Sequence, residues 1–355
     1  MNNKNFNSFI LDEDLRFLLD YKDDIWKKFD NKKIFITGAT GFFGRNILSS
    51  FYFVQKSSIY NFNVTSLIRD KNFFFDPSIT SSSKKNFNVI EGGLEKLTQI
   101  KNIYDVLIHL ADQQATHEIY TNNKISETEI VMRSKKNISY VFDFIHNNDI
   151  KSFIYVSSGA VYDKKDIKEG ISESDKLINK KNSKYYNFSI NKITTEKEIK
   201  KEFSKTNLNY YILRAFTFAG PHLFIDKKKF AFVDFFYNCI NNKDIIIYGN
   251  PSSTRSYLYS YELVIWCLRL ISHNSSSGCY NLGSSYETTI QNLAIAIKDI
   301  TRSKVTISSN SMFVNKNYYV PNTRLIEKKT GLSQKILFKE IVKRYYMWIK
   351  ILYSF

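Results

Sequence analysis

The sequence predicts an α/β protein: a doubly wound parallel sheet carrying a smaller C-terminal lobe. Three observations predict it. From Ile34 onward, short apolar runs alternate with longer amphipathic stretches, the pattern of strands buried on both faces and covered by helices. The first run closes on Gly38, Gly41 and Gly44, three glycines within seven residues of a chain that has 12 in 355. After about residue 215 the pattern yields to aromatic loops over 216–236, with no Pro- or Ser-rich linker. A second lobe is therefore packed against the first.

Each element has its own justification. Residues 9–29 place Ile10, Leu11, Leu15, Leu18, Leu19, Ile25, Trp26 and Phe29 at helix-like spacing, which predicts a helical arm over 1–30. The β-branched and aromatic run 33–37 reads as the first strand, the glycines as a tight turn, and Ile47-Leu48 as the start of a helix. Further strands are predicted over 63–68, 88–90, 104–110, 153–157 and 210–213. Ile130, Ile138, Val141, Phe142 and Ile145 place a helix between the fourth and fifth. Leu337, Phe338, Ile341, Tyr345, Trp348 and Leu352 predict a terminal helix, and 80–85 a polar loop. The division is an arm (1–30), a dinucleotide-binding domain (31–213) and a mainly substrate-binding lobe interleaved with the sheet (214–355).

Composition excludes several classes. Hydrophobic content of 43% with 16% aromatics excludes disorder. No apolar run approaches the roughly 18–20 residues that span a bilayer; the longest, 263–268, runs into Arg269. Asp12, Glu13 and Asp14 stand where a signal peptide would be apolar. Cys239, Cys267 and Cys279 form no Cys-x-x-Cys, as expected of reduced thiols in a cytoplasmic protein. The net charge of +17 is spread along the chain without a basic stripe, so no nucleic-acid partner is expected. Lys227-Lys228-Lys229 reads as a solvated loop, and the positive field would draw in a polyanionic substrate. Asp166, Glu169, Glu173 and Asp175 likewise read as solvated loop carboxylates. His117 has no other candidate ligand nearby and His109 closes a strand, so no metal is expected. Neither a Gly-x-Ser-x-Gly elbow nor a Walker loop is present, which removes hydrolase and kinase readings.

The glycine turn carries the chemistry. A strand ending in glycines and followed by a helix lets backbone N–H groups approach a pyrophosphate at the positive end of that helix. The spacing is Gly-x-x-Gly-x-x-Gly. With Thr37-Gly38-Ala39-Thr40-Gly41-Phe42-Phe43-Gly44, it resembles the extended, nucleotide-sugar branch of the short-chain dehydrogenase/reductase superfamily. That resemblance implies a Rossmann sheet, a bound nicotinamide dinucleotide and a nucleotide-sugar substrate. It places Gly38, Thr40, Gly41, Phe42, Phe43, Gly44, Leu110 and Ala111 against the cofactor. Ser157-Ser158-Gly159-Ala160-Val161-Tyr162 resembles the family's Ser-Ser-x-x-Val-Tyr-Gly, with Asp163 replacing the final Gly, and identifies Ser158 as the residue bonded to the sugar oxygen. Asn191-Lys192-Ile193-Thr194-Thr195-Glu196 resembles Ser-Lys-x-x-x-Glu and implies that Lys192 holds the nicotinamide ribose. The segment 214–221 resembles Arg-x-Phe-x-x-x-Gly-Pro and brings Phe216 to the nicotinamide side. Thr254-Arg255-Ser256-Tyr257 resembles a segment whose arginine pairs the substrate diphosphate, which makes Arg255 the substrate anchor. Tyr280-Asn281-Leu282-Gly283 resembles a strand end of the same family.

Departures from the family pattern matter as much. Gly93 stands where an aspartate would touch adenine, and Asp112 adds a carboxylate near the pyrophosphate side. Arg69 and Asp70 end the second strand: an acid there would bond a ribose 2′-OH and favour NAD, an arginine would accept the 2′-phosphate of NADP. NAD is the expected cofactor, with NADP open. The 4,6-dehydratase subgroup carries Asp-Glu where this chain has Gly159-Ala160, which disfavours dehydration.

The largest departure is Phe188, four residues before Lys192, where the resemblance requires the Tyr that exchanges a proton with the sugar hydroxyl. General acid–base help contributes roughly 10²–10⁴ in rate, about 3–5 kcal/mol. Three readings stand open. Phe188 is a Tyr-to-Phe substitution made to trap a complex, or another group serves, or the chain is a pseudoenzyme that binds without turnover. Tyr185 would share the face of Lys192 only if the helix began early, and Tyr186 is off that face. The expected function is epimerisation or a related redox rearrangement of a nucleotide-activated sugar, such as those that supply surface polysaccharides. The resemblance also implies a homodimer paired through helices over 130–145 and 190–203.

Overall fold

The computed structural model describes residues 9–70, 86–111, 125–163, 169–179, 186–225, 230–310 and 315–354. The expectations placed on 80–85, Asp112, His117, Asp166, Tyr185 and 227–229 lie outside them. The chain divides into two compact units. The first comprises Met1–Asp163, Ser174–Ala215 and Val264–Tyr280; the second comprises Lys164–Glu173, Phe216–Leu263 and Asn281–Phe355.

The first unit holds all but the last two residues of a seven-stranded sheet. Its strands are β1 (Lys33–Thr37), β2 (Asn63–Ile68), β3 (Phe87–Glu91), β4 (Val106–His109), β5 (Ser152–Ser158), β6 (Asn209–Ala215) and β7 (Gly278–Leu282), in the order β7-β6-β5-β4-β1-β2-β3. From β1 to β6 every pairing is parallel. The chain leaves β1 toward β2 on one side and returns to β4 on the other, so the sheet has its switch point between β1 and β4. Crevices open at such points beyond the carboxyl ends of the strands, here beyond Thr37 and His109. The strands over 33–37 and 63–68 have the bounds read from their sequence; those read over 88–90, 153–157 and 210–213 extend by one or two residues at each end, through polar positions such as Asn209 and Arg214, and the one read over 104–110 is shorter, Val106–His109.

Both faces of the sheet are buried. Helices α3 (Glu127–Asn147) and α4 (Tyr186–Phe203) bring Val141, Phe144, Ile199 and Phe203 into one core with Phe35, Leu107, Phe153 and Ile212. Alternation turns Ile34 and Ile36 to the opposite face, where they too are fully buried. The N-terminal arm is helix α1 (Asp12–Leu19), a π-helical turn (Lys22–Trp26) and a short helix (Lys27–Phe29) rather than one continuous helix. The wide turn lets Ile25, Trp26 and Phe29 all be buried. Trp26 and Phe29 pack on Phe51 of helix α2 (Phe42–Ser57) with ring centroids 5.4 and 5.7 Å apart, and the Trp26 indole donates to the Leu18 carbonyl at 2.7 Å.

The second unit carries a small three-stranded sheet of Glu287–Thr289, Thr254–Ser256 and Tyr318–Tyr319. Its core joins helices Ala231–Ile240 and Phe338–Tyr353 through Phe232, Phe236 and Tyr345, with ring centroids 4.9–5.3 Å apart. The terminal helix lies where its apolar spacing predicts. All three cysteines are free thiols, and no described helix is long and apolar enough to cross a membrane.

Candidate active site

The turn after β1 shows why each glycine stands where it does. Gly38 has φ +73°, and a Cβ there would lie 2.7 Å from the Ala111 nitrogen. At Gly44 a Cβ would come within 2.4 Å of the Ala39 Cα and the Gly38 carbonyl, so this glycine lets α2 close on the turn. Gly41 differs. Its backbone is extended, with φ −77° and ψ 173°, and a Cβ would meet only the Gly38 carbonyl, at 3.4 Å. Neither conformation nor internal packing demands glycine at 41; the side chain is missing on the side that opens to the cleft. Gly41 is also the N-cap of α2, with no side chain bonded to the cap and no acidic residue in the first turn. Amides and helix dipole together suit a diphosphate.

The cleft beyond this turn has a volume of ≈ 170 Å³. Gly38, Thr40, Gly41, Arg69, Leu110 and Ala111, all read from the sequence as cofactor residues, line it together. Phe42 and Phe43 stand half-buried at the start of α2. The sequence reading did not assign the apolar wall of Leu67, Ile68 and Leu94 to the cleft; the signal was the ends of β2 and β3 converging on Gly92-Gly93. Asp70 follows Arg69 at the end of β2, outside the lining set. The Glu95 carboxylate, accepting from the Gly93 N–H at 3.1 Å, fills the space a side chain at 93 would take.

Thr37 ties the switch point together. Its hydroxyl oxygen accepts from the Leu110 and Ala111 N–H groups at 3.2 Å each and lies 2.7 Å from His109 Nδ1. With both lone pairs engaged, the hydroxyl donates its hydrogen to Nδ1, so His109 is an acceptor there. His109 stacks on Tyr155 with centroids 5.9 Å apart. No group of described residues has the make-up of a metal site.

At the end of β5, Lys192 of α4 reaches the strand near its last residue, Ser158, and Phe188 stands one helical turn before Lys192. Ser158 closes β5 and caps the 3-10 turn Gly159–Val161, accepting from the Ala160 N–H at 3.1 Å, a bond that leaves its own hydrogen to donate. Ser189 donates to the Ala160 carbonyl at 2.7 Å and so docks α4 on that turn. Lys192 Nζ donates to the Val156 carbonyl at 3.0 Å and lies 5.0 Å from the Tyr155 ring centroid and 5.8 Å from that of Phe188. Tyr186 points elsewhere: its hydroxyl donates to Glu127 at 3.1 Å, and burial together with that carboxylate raises its pKa, the wrong direction for a base. Tyr162 is buried, with Arg214 donating to its hydroxyl at 2.8 Å.

The remaining candidates belong to the second unit. Phe216 stacks on Tyr319 with centroids 4.7 Å apart, and the Arg255 guanidinium lies 5.9 Å from the same ring. Arg255 Nη1 donates to the carbonyls of Thr254 and Asn317 at 2.8 and 3.2 Å.

Residues 34–283 match the model of the NAD dependent epimerase/dehydratase family. A dTDP-D-glucose 4,6-dehydratase of Dictyostelium discoideum is 27% identical over 300 residues, which cover 79% of this chain and 63% of that protein. The Escherichia coli dTDP-4-dehydro-6-deoxyglucose reductase is 24% identical over 275 residues, covering 75% of this chain and 80% of the reductase. Among solved structures, a UDP-N-acetylglucosamine 4-epimerase from Methanobrevibacter ruminantium M1, in complex with UDP-N-acetylmuramic acid, superposes with a TM-score of 0.73 at 21% identity. That match covers 90% of this chain and 98% of the epimerase. A seven-stranded sheet with a glycine turn at its switch point, matched over most of its length, places the chain in the NAD-dependent epimerase/dehydratase family of nucleotide-sugar enzymes.

Proposed function

We propose that the chain binds a nicotinamide dinucleotide along the Gly38–Ala111 cleft and a nucleotide-activated sugar beside Ser158, and that its chemistry is a redox rearrangement without dehydration. The observation that carries this reading is Gly41: an open glycine, strained by nothing in the protein, at the cap of a helix facing a cleft. The cofactor would supply a hydride acceptor at its nicotinamide. Backbone amides at 42–44 would hold its diphosphate, the Gly41 N–H being bonded to the Gly38 carbonyl at 3.1 Å, and Lys192 would hold its nicotinamide ribose. Ser158 would donate to a sugar oxygen. Arg255 and Phe216 would contribute to the substrate and nicotinamide sides. The turn Gly159–Val161 carries no ionisable side chain, so an elimination of water has no acid there. NAD is the cofactor we favour, with Arg69 on the cleft wall keeping NADP open.

Phe188 favours a second reading, that the chain binds both ligands and turns the sugar over slowly or not at all. Its ring fills the place of a proton donor with carbon, and the expected loss is about 10²–10⁴ in rate. The test compares the chain with Phe188→Tyr in single-turnover assays of UDP- and dTDP-hexoses, following reduced nicotinamide at equilibrium binding of both ligands. Activity gained only on restoration supports an inactivated redox enzyme. Equal activity in both means another acid serves. Binding without activity in either supports the binding protein, and failure to bind any dinucleotide removes both readings.

A further inference from the structure

We propose that Glu196 and Arg214 are positioning residues for Lys192, setting how far its ammonium reaches over the end of β5; the inference rests on the dinucleotide reading above. The register places Ser157 of β5 directly beside Arg214 of β6, on one face of the sheet. Glu196 descends from α4 between them. Its Oε1 accepts from the Ser157 hydroxyl at 2.5 Å and from Arg214 Nε at 3.1 Å, and its Oε2 accepts from Arg214 Nη2 at 2.6 Å. Arg214 Nη1 donates to the Tyr162 hydroxyl at 2.8 Å, and the guanidinium lies 4.8 Å from that ring centroid. All four residues are buried, the ion pair at 3% exposure on each side. Burial opposes the Arg214 charge, but the Glu196 hydrogen bond and charge outweigh it and hold the group cationic.

Lys192 stands one helical turn before Glu196, on the same face of α4. Its ammonium bonds the Val156 carbonyl, the residue before Ser157. The helix is thus pinned to the tip of β5 at two successive residues, and Ser158 is the next. A buried ion pair is poor evidence of stabilisation, because apolar residues of similar size commonly replace one without loss. Its distinctive contribution here is directional: the planar guanidinium fork admits one depth for Glu196, and that depth fixes Lys192.

The test titrates NADH and ADP separately into the intact chain. ADP carries the diphosphate but no nicotinamide riboside, so it does not need Lys192. The variants are Ser157→Ala, which removes one hydrogen bond, Glu196→Asp, which keeps the charge and shortens the reach, and the apolar pair Glu196→Leu with Arg214→Met. Glu196→Asp and the apolar pair are expected to weaken NADH by about tenfold and lower its emission at saturation, with ADP within twofold; Ser157→Ala should weaken NADH about threefold. A well-folded apolar pair that binds NADH normally, or parallel losses for NADH and ADP, would overturn the positioning role alone. An unmodified chain that binds neither ligand would overturn the dinucleotide reading and this inference with it.

Discussion

Adding one methyl group at Gly41 or at Gly44 separates what the glycine turn does for the protein from what it does for a ligand. At Gly44 the new carbon would lie 2.4 Å from two backbone atoms, against ordinary contacts above 3.4 Å. Backbone cannot swing away as a side chain can, so α2 must shift on β1. Such overpacking costs about 3 kcal/mol or more, enough to lower the midpoint of unfolding visibly. At Gly41 the same carbon meets nothing closer than 3.4 Å, and φ −77° suits any residue. Gly41→Ala should therefore leave stability unchanged or raise it by up to about 1 kcal/mol, through a less flexible unfolded chain. Its effect should fall on binding. A diphosphate seated on the 42–44 amides would collide with the methyl, and a loss of about 1–3 kcal/mol means roughly 5- to 150-fold weaker NAD binding. Urea unfolding and calorimetric titration with NAD measure the two quantities independently. If Gly41→Ala binds NAD as tightly as the unmodified chain, no diphosphate lies against that turn.

Other outcomes follow from the same geometry. Arg69→Gln should weaken NADP by about tenfold and NAD by less than twofold if the cleft-wall arginine meets a 2′-phosphate; equal effects on both would assign Arg69 no role in cofactor choice. Phe51→Ala removes the ring on which Trp26, Phe29 and Phe62 converge, and should cost about 3–5 kcal/mol in urea unfolding. A loss under 1 kcal/mol would mean the arm contributes little to stability. Glu262, buried in the second unit and accepting from the Lys335 and Ile336 amides, has its pKa pushed up to about 7 by burial. The native state then binds a proton more tightly than the unfolded chain. Its stabilising contribution is complete below about pH 4.5, declines as pH rises, and is gone above about pH 7, a span on the order of 3 kcal/mol. Unfolding across that range should show the decline, and Glu262→Gln should flatten it.

The sheet was legible because its signals are local. A strand buried on both faces shows as a continuous apolar run, and a turn that needs φ +73° at one residue shows as glycine. Gly38, Gly41 and Gly44 thus marked the strand, turn and helix that the structure sets at the switch point. Ser158 and Lys192 were legible only through their resemblance to a family, since nothing in isolated spacing says that α4 will dock on the turn after β5. The apolar wall was harder. Leu67, Ile68 and Leu94 look like core residues in sequence, and their cleft role depends on which strand ends stop short. The apolar spacing predicts a helical arm but cannot register the extra residue of the π turn at Lys22–Trp26.

Phe188 sharpens what the surrounding structure is for. Where a site has no ligand to hold, small and buried polar groups there have little reason to stay in register. Here Ser158 still caps its turn, Ser189 still docks α4, Lys192 still bonds Val156, and a buried ion pair still holds the helix at one depth. Each is a directional bond between different elements, and none involves the residue at 188. The scaffold proposed to position a nicotinamide and a sugar is therefore separable from any group that would move a proton. One hydroxyl, placed on the Phe188 ring, is the smallest change that distinguishes a site built to react from a site built to hold.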